Sequence, residues 1–299
     1  GMFYIRLDGS PNYVMMCNAT AAILNILLDY IFIFEFGWGM MGAAFATSLG
    51  TVVGGLMTLV YLMHYSHDLR LYRIKLSRKS LRMTFRNIGY MVKLGNSAFV
   101  SEASIACMMF LGNYVFIRNL GEDGVAAFSI VCYFFPIIFM VYNAIAQSAQ
   151  PIISYNFGAG QPERVRKALR LSLRTALICG ICFFILTTLC CRNIVALFID
   201  RSYSAFDIAV NGIPYFGIGF IFFAINMIGI GYYQSIERGQ RATIITLLRG
   251  VVFMLIGFFV LPPILGVPGI WLAVPSAELL TTLYIIGIYF KDRFIVRRR

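Results

Sequence analysis

Four carboxylates stand inside or beside long apolar runs of this 299-residue chain: Asp29, Glu35, Glu102 and Glu278. A charged acid at mid-bilayer costs at least ~2.5–3.5 kcal/mol on the insertion scale, so it persists where it is paired or used. Asn25 precedes Asp29 by four residues, which places amide and carboxylate on one helical face. Such a pair can bind Na⁺ or hold a proton, because desolvation favours the neutral acid. It can equally be a hydrogen-bonded packing pair. Glu35 lies near the end of its run and can reach water. Glu102 shares its run with Asn96, Ser97, Ser101, Ser104 and Asn113, which leaves it the same choice as Asp29. Glu278 follows Pro275 and Ser276, where packing, gating and chemistry are all open.

Asn143, Gln147 and Gln150 recur on one helical face and end at Pro151. A polar stripe that stops at a proline break suits a water-lined passage. The following Ser154-Tyr-Asn-Phe-Gly-Ala-Gly160 is rich in glycine but lacks the strand and Lys-Ser/Thr pair of a phosphate loop, and reads as a helix end. Cys179 and Cys182 form a C-x-x-C within Ile-Cys-Gly-Ile-Cys-Phe-Phe. An apolar helix denies such thiols ionisation and access, so they read as small hydrophobes. His64 and His67 have only Asp68 nearby, too little for a metal site. The apolar runs hold neither a Ser/Lys dyad nor a His/Glu metal constellation, so the chain is not expected to be an enzyme or to carry a cofactor.

The elements that position these groups follow from composition. Apolar residues make up 60% of the chain, against about 45–50% in soluble domains. Charged residues are only 13%. A soluble globule could not hide so much apolar surface. The formal charge of +12 would suggest nucleic acid on a soluble protein, but the basic residues sit in short segments between apolar runs. Lipid head groups and topology account for them, and nucleic-acid binding is excluded.

Runs of ~20 apolar residues span a bilayer as helices. Eight are present, at about 12–36, 39–63, 90–117, 124–150, 171–191, 207–233, 242–262 and 267–290. The chain therefore reads as an all-α integral membrane protein with eight transmembrane helices. With the N-terminus inside, 22 of the 25 Lys and Arg fall on one side, and only Arg118, Arg192 and Arg201 fall opposite. That asymmetry puts both termini in the cytoplasm of a multi-pass inner-membrane protein. The longest inside loop, 64–89, interleaves Leu69, Leu71, Ile74 and Leu76 with basic residues. It suits a membrane-surface tether between two bundles.

Gly39-Met-Met-Gly-Ala-Ala-Phe-Ala46 is similar to Gly266-Val-Pro-Gly-Ile-Trp-Leu-Ala273, at an offset of 227 residues. Spans one and two thus look like a duplicate of spans seven and eight, as in two-lobed secondary transporters with parallel repeats. Spans three to six have no upstream counterpart, and the expectation is that four preceding helices are missing. The domains expected are a two-helix partial lobe (1–63), a basic cytoplasmic linker (64–89) and a six-helix lobe (90–299). Gly42, Ala46, Gly50 and Gly54 recur every four residues, a stripe that lets helix backbones approach closely. The stripe is expected to find no packing partner if spans one and two stand alone.

Several motifs in order resemble the multidrug and toxic compound extrusion (MATE) family in its bacterial branch. They are Ile5-Arg-Leu-Asp-Gly-Ser-Pro11, Asn25-Ile-Leu-Leu-Asp-Tyr-Ile-Phe-Ile33, Gly37-Trp-Gly-Met-Met-Gly-Ala-Ala44 and Gln150-Pro-Ile-Ile-Ser-Tyr-Asn-Phe-Gly-Ala159. The resemblance covers essentially the whole chain, matched to helices five to twelve of a two-lobe, twelve-helix fold. It implies a secondary antiporter that exports drugs or amphipathic organic cations in exchange for H⁺ or Na⁺. It also implies a first-lobe cation site, for which Asn25, Asp29 and Thr47 stand at matching positions. A fourth partner, an Asp on helix one, lies outside this chain, so a four-helix N-terminal fragment is an expected partner. Glu102 comes about a turn early for the second-lobe sodium site of some members, and Phe223 to Met227 offers no acid. Glu102, Asn113, Asn143, Gln147 and Gln150 remain as cavity-lining candidates. The alternatives are a lipid-linked saccharide flippase, which would want basic residues in its spans, or a non-transporting fragment of a split transporter.

Overall fold

A backbone surrounded by hydrocarbon must satisfy its own N–H and C=O groups, so the apolar runs fold as helices. The computed structural model describes residues 2–66 and 77–297. His67, the apolar and basic residues from Asp68 to Leu76, and Arg298 and Arg299 lie outside the described residues. The helices are α1 (Met2–Leu7), α2 (Pro11–Tyr30), α3 (Gly39–Val60), α4 (Arg78–Gly158), α5 (Pro162–Leu189), α6 (Cys191–Ala196), α7 (Ser204–Gly217), α8 (Gly219–Ser235), α9 (Gly239–Leu247), α10 (Phe253–Leu265) and α11 (Val267–Arg297). Wider π-helical turns extend α2 through Ile31–Glu35 and α3 through Tyr61–Tyr65, and a third, Leu248–Val252, joins α9 to α10.

Within α4, Gly121 adopts φ 66° and ψ −156°, a conformation open to glycine and costly for other residues. It divides the stretch Gly95–Gly158, whose 64 residues would otherwise reach ~96 Å, three times the ~30 Å of a hydrocarbon core. Pro214 sits inside α7, and α7 meets α8 at a bend of 42°. Proline disturbs the turn before it, whereas the break falls after it, between Gly217 and Gly219, residues that favour a helix weakly. With α4 counted as two spans and α7–α8 as one bent span, the described residues contain eight membrane-spanning segments.

Contacts divide the chain into Gly1–Arg82 and Met83–Arg299. The boundary falls within the stretch 64–89 read as a linker, which is helical from Arg78 onward. In the first unit α2 packs along α3. A Cβ on Gly42 would stand 2.9 Å from that of Phe32, one on Gly50 would stand 2.9 Å from the Ala21 carbonyl oxygen, and one on Gly54 3.3 Å from the Ala21 Cβ. The expectation that the small-residue stripe lacks a partner within the chain is therefore corrected: α2 covers it. At the other end of this pair the Tyr61 hydroxyl donates to Asp8 Oδ2 at 3.0 Å, and Tyr13 stacks obliquely on Tyr61 at 4.8 Å.

The second unit is held by an aromatic core. Phe223 of α8 meets Phe135 and Tyr142 of α4, each at 5.2 Å between ring centroids, and Phe116 meets Trp271 edge-on at 4.8 Å. Trp271 fills the space left by Gly212. The repeat seen in sequence is repeated in geometry. Gly39 and Gly266 both take positive φ, 52° and 65°. Gly42 and Gly269 are both places where the preceding helix leaves too little room for a Cβ.

Candidate functional site

In the first unit the site is built on the α2–α3 pair. Asn25 Nδ2 donates to Thr47 Oγ1 at 3.3 Å, and Thr47 Oγ1 donates to the Ala43 carbonyl at 2.9 Å. Gly50, whose absent Cβ would lie 3.4 Å from that of Asn25, lets the helices come this close. Asp29 sits one turn beyond Asn25 on the same face. Its Oδ1 is buried and has no hydrogen-bond partner among the described residues. The Asn25 and Thr47 side-chain oxygens are hard donors of the kind a small cation takes.

In the second unit the sequence candidates are spread out. Glu102 and Asn113 are exposed, and Asn143 and Gln147 are half-buried. Gln150 Nε2 donates to Gln234 Oε1 at 2.7 Å, and Gln234 Nε2 donates to Ser97 Oγ at 2.8 Å. The Gln150 amide is thus committed to a chain of bonds that ties both halves of α4 to α8. Ser154 extends it by donating to the Ser235 carbonyl at 3.1 Å.

A second buried polar cluster lies on α8, the π-helical turn before α10, and α11. Sequence reasoning weighed Glu278 only as one of three options and counted Arg249 only for topology. Both are almost fully buried, and Arg249 Nε stands 3.1 Å from Glu278 Oε1. That distance makes an ion pair, although the N–H is not aligned for a hydrogen bond. Asn226 Nδ2 donates to Glu278 Oε2 at 2.7 Å and to the Glu278 carbonyl at 2.8 Å. Thr282 Oγ1 lies 3.0 Å from both Asn226 Oδ1 and the Glu278 carbonyl, which share its one proton. The Arg249 guanidinium carbon lies 4.7 Å from the Phe223 ring centroid, and its NH1 reaches Met227 Sδ at 3.2 Å. The signal was present in the sequence: an arginine inside a span requires a counter-charge from another span, and Glu278 stands well inside a neighbouring span of this unit.

The MatE family model matches residues 97–267, more than half of the chain. The chain belongs to the MatE family. This MatE chain is 26% identical to the multidrug export protein MepA of Staphylococcus aureus (strain bovine RF122 / ET3-1), over 98% of the chain and 63% of that relative. It is 25% identical, with the same coverage, to MepA of Staphylococcus saprophyticus. Among solved structures, it matches the outward-facing conformation of a multidrug resistance MATE family transporter of the MOP superfamily with a TM-score of 0.85 at 21% identity, covering 97% of this chain and 64% of that one. A MATE structure in complex with MaL6 gives 0.86 at 21% identity, covering 97% and 65%. The chain thus spans just under two thirds of the length of these relatives. It is a multi-pass membrane protein with the MATE transporter fold.

Proposed function

We propose that this MatE chain forms the ion-coupled part of a secondary antiporter that exports drugs or amphipathic organic cations in exchange for H⁺ or Na⁺. The Asp29 Oδ1 atom, buried and without a hydrogen-bond partner among the described residues one turn from the Asn25–Thr47 bond, carries this reading. Coupling needs a group whose charge or occupancy changes during the cycle, and Asp29 is the one member of this trio whose side chain can change charge. With a proton or cation bound, the site is neutral and compatible with its apolar surroundings. Once vacated, the carboxylate keeps one buried oxygen without a hydrogen-bond partner among the described residues. The α2–α3 pair then has a reason to rearrange, as alternating access between lobes requires. The basic-residue asymmetry supports cytoplasmic termini. Among the described residues the one buried guanidinium, Arg249, is engaged by Glu278, which disfavours a pyrophosphate-binding flippase.

The test replaces Asp29 by Asn, which keeps size and hydrogen bonding and removes the charge change. Efflux of a lipophilic cationic dye is followed in cells making residues 1–299, alone and together with the first four helices of a relative. Asp29→Asn should abolish concentrative, ion-dependent efflux while leaving membrane insertion and substrate exchange down a gradient. Pumping by Asp29→Asn at the parental rate would make Asp29 a packing residue and sink the proposal.

A further inference from the structure

We propose that Arg249 is a tethered cation: it fills, and thereby silences, a cation site in the core of the second unit. The acceptor is Glu278, whose carboxylate faces Arg249 Nε at Oε1 and the Asn226 amide at Oε2. The amide nitrogen of Asn226 faces two acceptors of Glu278, Oε2 and the main-chain carbonyl, which sets its donating orientation toward the acid.

Arg249 is not gripped as arginine usually is. A guanidinium on a carboxylate commonly makes two parallel hydrogen bonds. Here Nε is close to Oε1 but misaligned, Asn226 takes Oε2, and NH1 turns to the Met227 thioether. The rest of the hold comes from the face of Phe223, 4.7 Å from the guanidinium carbon. A carboxylate on one side with an aromatic face and a polarisable sulfur on the other is a pocket that recognises small organic cations by charge and π attraction. The side chain enters it from the π-helical turn Leu248–Val252, a local widening of the kind that often marks functional positions. The next residue, Gly250, has no room for a Cβ against Ser104, so the turn is pressed inward at this point.

Shortening the side chain should therefore leave a site for a free cation of the guanidinium class. Where the protein acts as the antiporter proposed above, the consequence is that the second unit exchanges no ion and coupling rests on the first unit alone.

The experiment measures thermal unfolding of the purified protein in detergent, with methylguanidinium as the probe. Arg249→Ala should unfold at a lower temperature than the parent. Methylguanidinium should raise its midpoint with the logarithm of its concentration above Kd, by roughly 5 °C at ~100 times its Kd. The parent and the double variant Arg249→Ala/Glu278→Gln should show no such response, the first because the site is filled and the second because its charge is gone. An absent response in Arg249→Ala, or an equal one in the double variant, overturns the proposal. If Arg249→Ala yields no folded protein, the double variant should recover it. Failure to recover would mean that Arg249 contributes volume rather than charge, which also overturns the proposal. None of these readouts involves transport, so they stand or fall separately from the role of Asp29. In a transport assay Arg249→Met/Glu278→Gln should leave the steepness of ion dependence unchanged, and a changed slope would show that the site is not silent.

Discussion

Gly257→Ala measures how closely the last two helices of the second unit must pass. Gly257 lies on α10 where a Cβ would stand 2.5 Å from the Ala273 carbonyl oxygen of α11, and 3.1 Å from both its carbonyl carbon and its Cα. Real Cβ atoms essentially never come within 3.0 Å of such atoms. The helices must therefore separate by at least half an ångström, since the obstacle is backbone and cannot rotate away. Ala273 is fully buried between Trp271 and Val274, themselves buried, so the shift spreads into a close-packed core. Overpacking of this kind costs about 1–3 kcal/mol. Alanine returns roughly 0.5–1 kcal/mol through its better helix propensity. The net loss is about 1–2 kcal/mol, a fall in unfolding midpoint of several degrees at ~2–4 °C per kcal/mol.

Gly287→Ala supplies the control. Gly287 is on α11, the same helix that Gly257 faces, and a Cβ there meets nothing within 4 Å. It should gain the propensity term alone and unfold at or slightly above the parental temperature. The assay is thermal unfolding of the parent and both variants in one detergent, followed by accessibility of the buried cysteine Cys191 to a thiol reagent. A Gly257→Ala protein as stable as Gly287→Ala would refute the close approach of α10 and α11.

Gln234→Met should lose about 1–3 kcal/mol of stability, because Gln150 is left without its acceptor and Ser97 without its donor; thermal unfolding checks it, and an unchanged midpoint would show that these amides contribute little. A single cysteine at Glu122 in an otherwise cysteine-free protein should react with an impermeant thiol reagent in intact cells, while one at Gln161, between α4 and α5, should not. The reverse pattern would invert the topology drawn from the basic residues.

How much could be read beforehand varies with the physics involved. Span positions came from apolar length, which the bilayer enforces: the stretch 12–36 became Pro11–Glu35, and 39–63 became Gly39–Tyr65. Apolar spans and helices differ where a helix runs beyond the hydrocarbon. α5 begins at Pro162 rather than near 171, because Arg164, Arg166, Lys167 and Arg170 continue the helix into water. The 42° bend after Gly217 was not foreseen, although Gly217 and Gly219 were there to suggest it. The α2–α3 pair was legible because Asn25 and Asp29 are a turn apart on one helix, and Thr47 came through family resemblance. Arg249–Glu278 was not, because its partners are 29 residues apart on different helices and no periodicity links them. Only charge balance could have paired them. Gln150 shows the opposite error: its period placed it on a polar stripe, but a stripe does not say which neighbour satisfies it.

The internal repeat joins these observations. Carried across the 227-residue offset, Asn25, Asp29 and Thr47 correspond to Val252, Ile256 and Val274, which are all apolar. Arg249 and Glu278 correspond to Ala22 and Thr51, which are both uncharged. Each unit thus places one polar site on the same pair of repeat helices, about a turn apart in register, and neither keeps the residues of the other. The first has a carboxylate on the leading helix with an oxygen that has no hydrogen-bond partner among the described residues. The second has its carboxylate on the trailing helix, already neutralised by an arginine from the leading one. A duplicated helix pair whose two sites both exchanged ions would need an open acid in each. Where the function proposed above holds, the two copies differ in that one site takes its positive charge from solution and the other carries its own. Installing the first unit's trio in the second, by Val252→Asn, Ile256→Asp and Val274→Thr, should therefore add a titrating acid beside an existing guanidinium rather than recreate the first site. Its expected effect is loss of stability without a second coupled ion, and steeper ion dependence of transport in that triple variant would count against the asymmetry argued here.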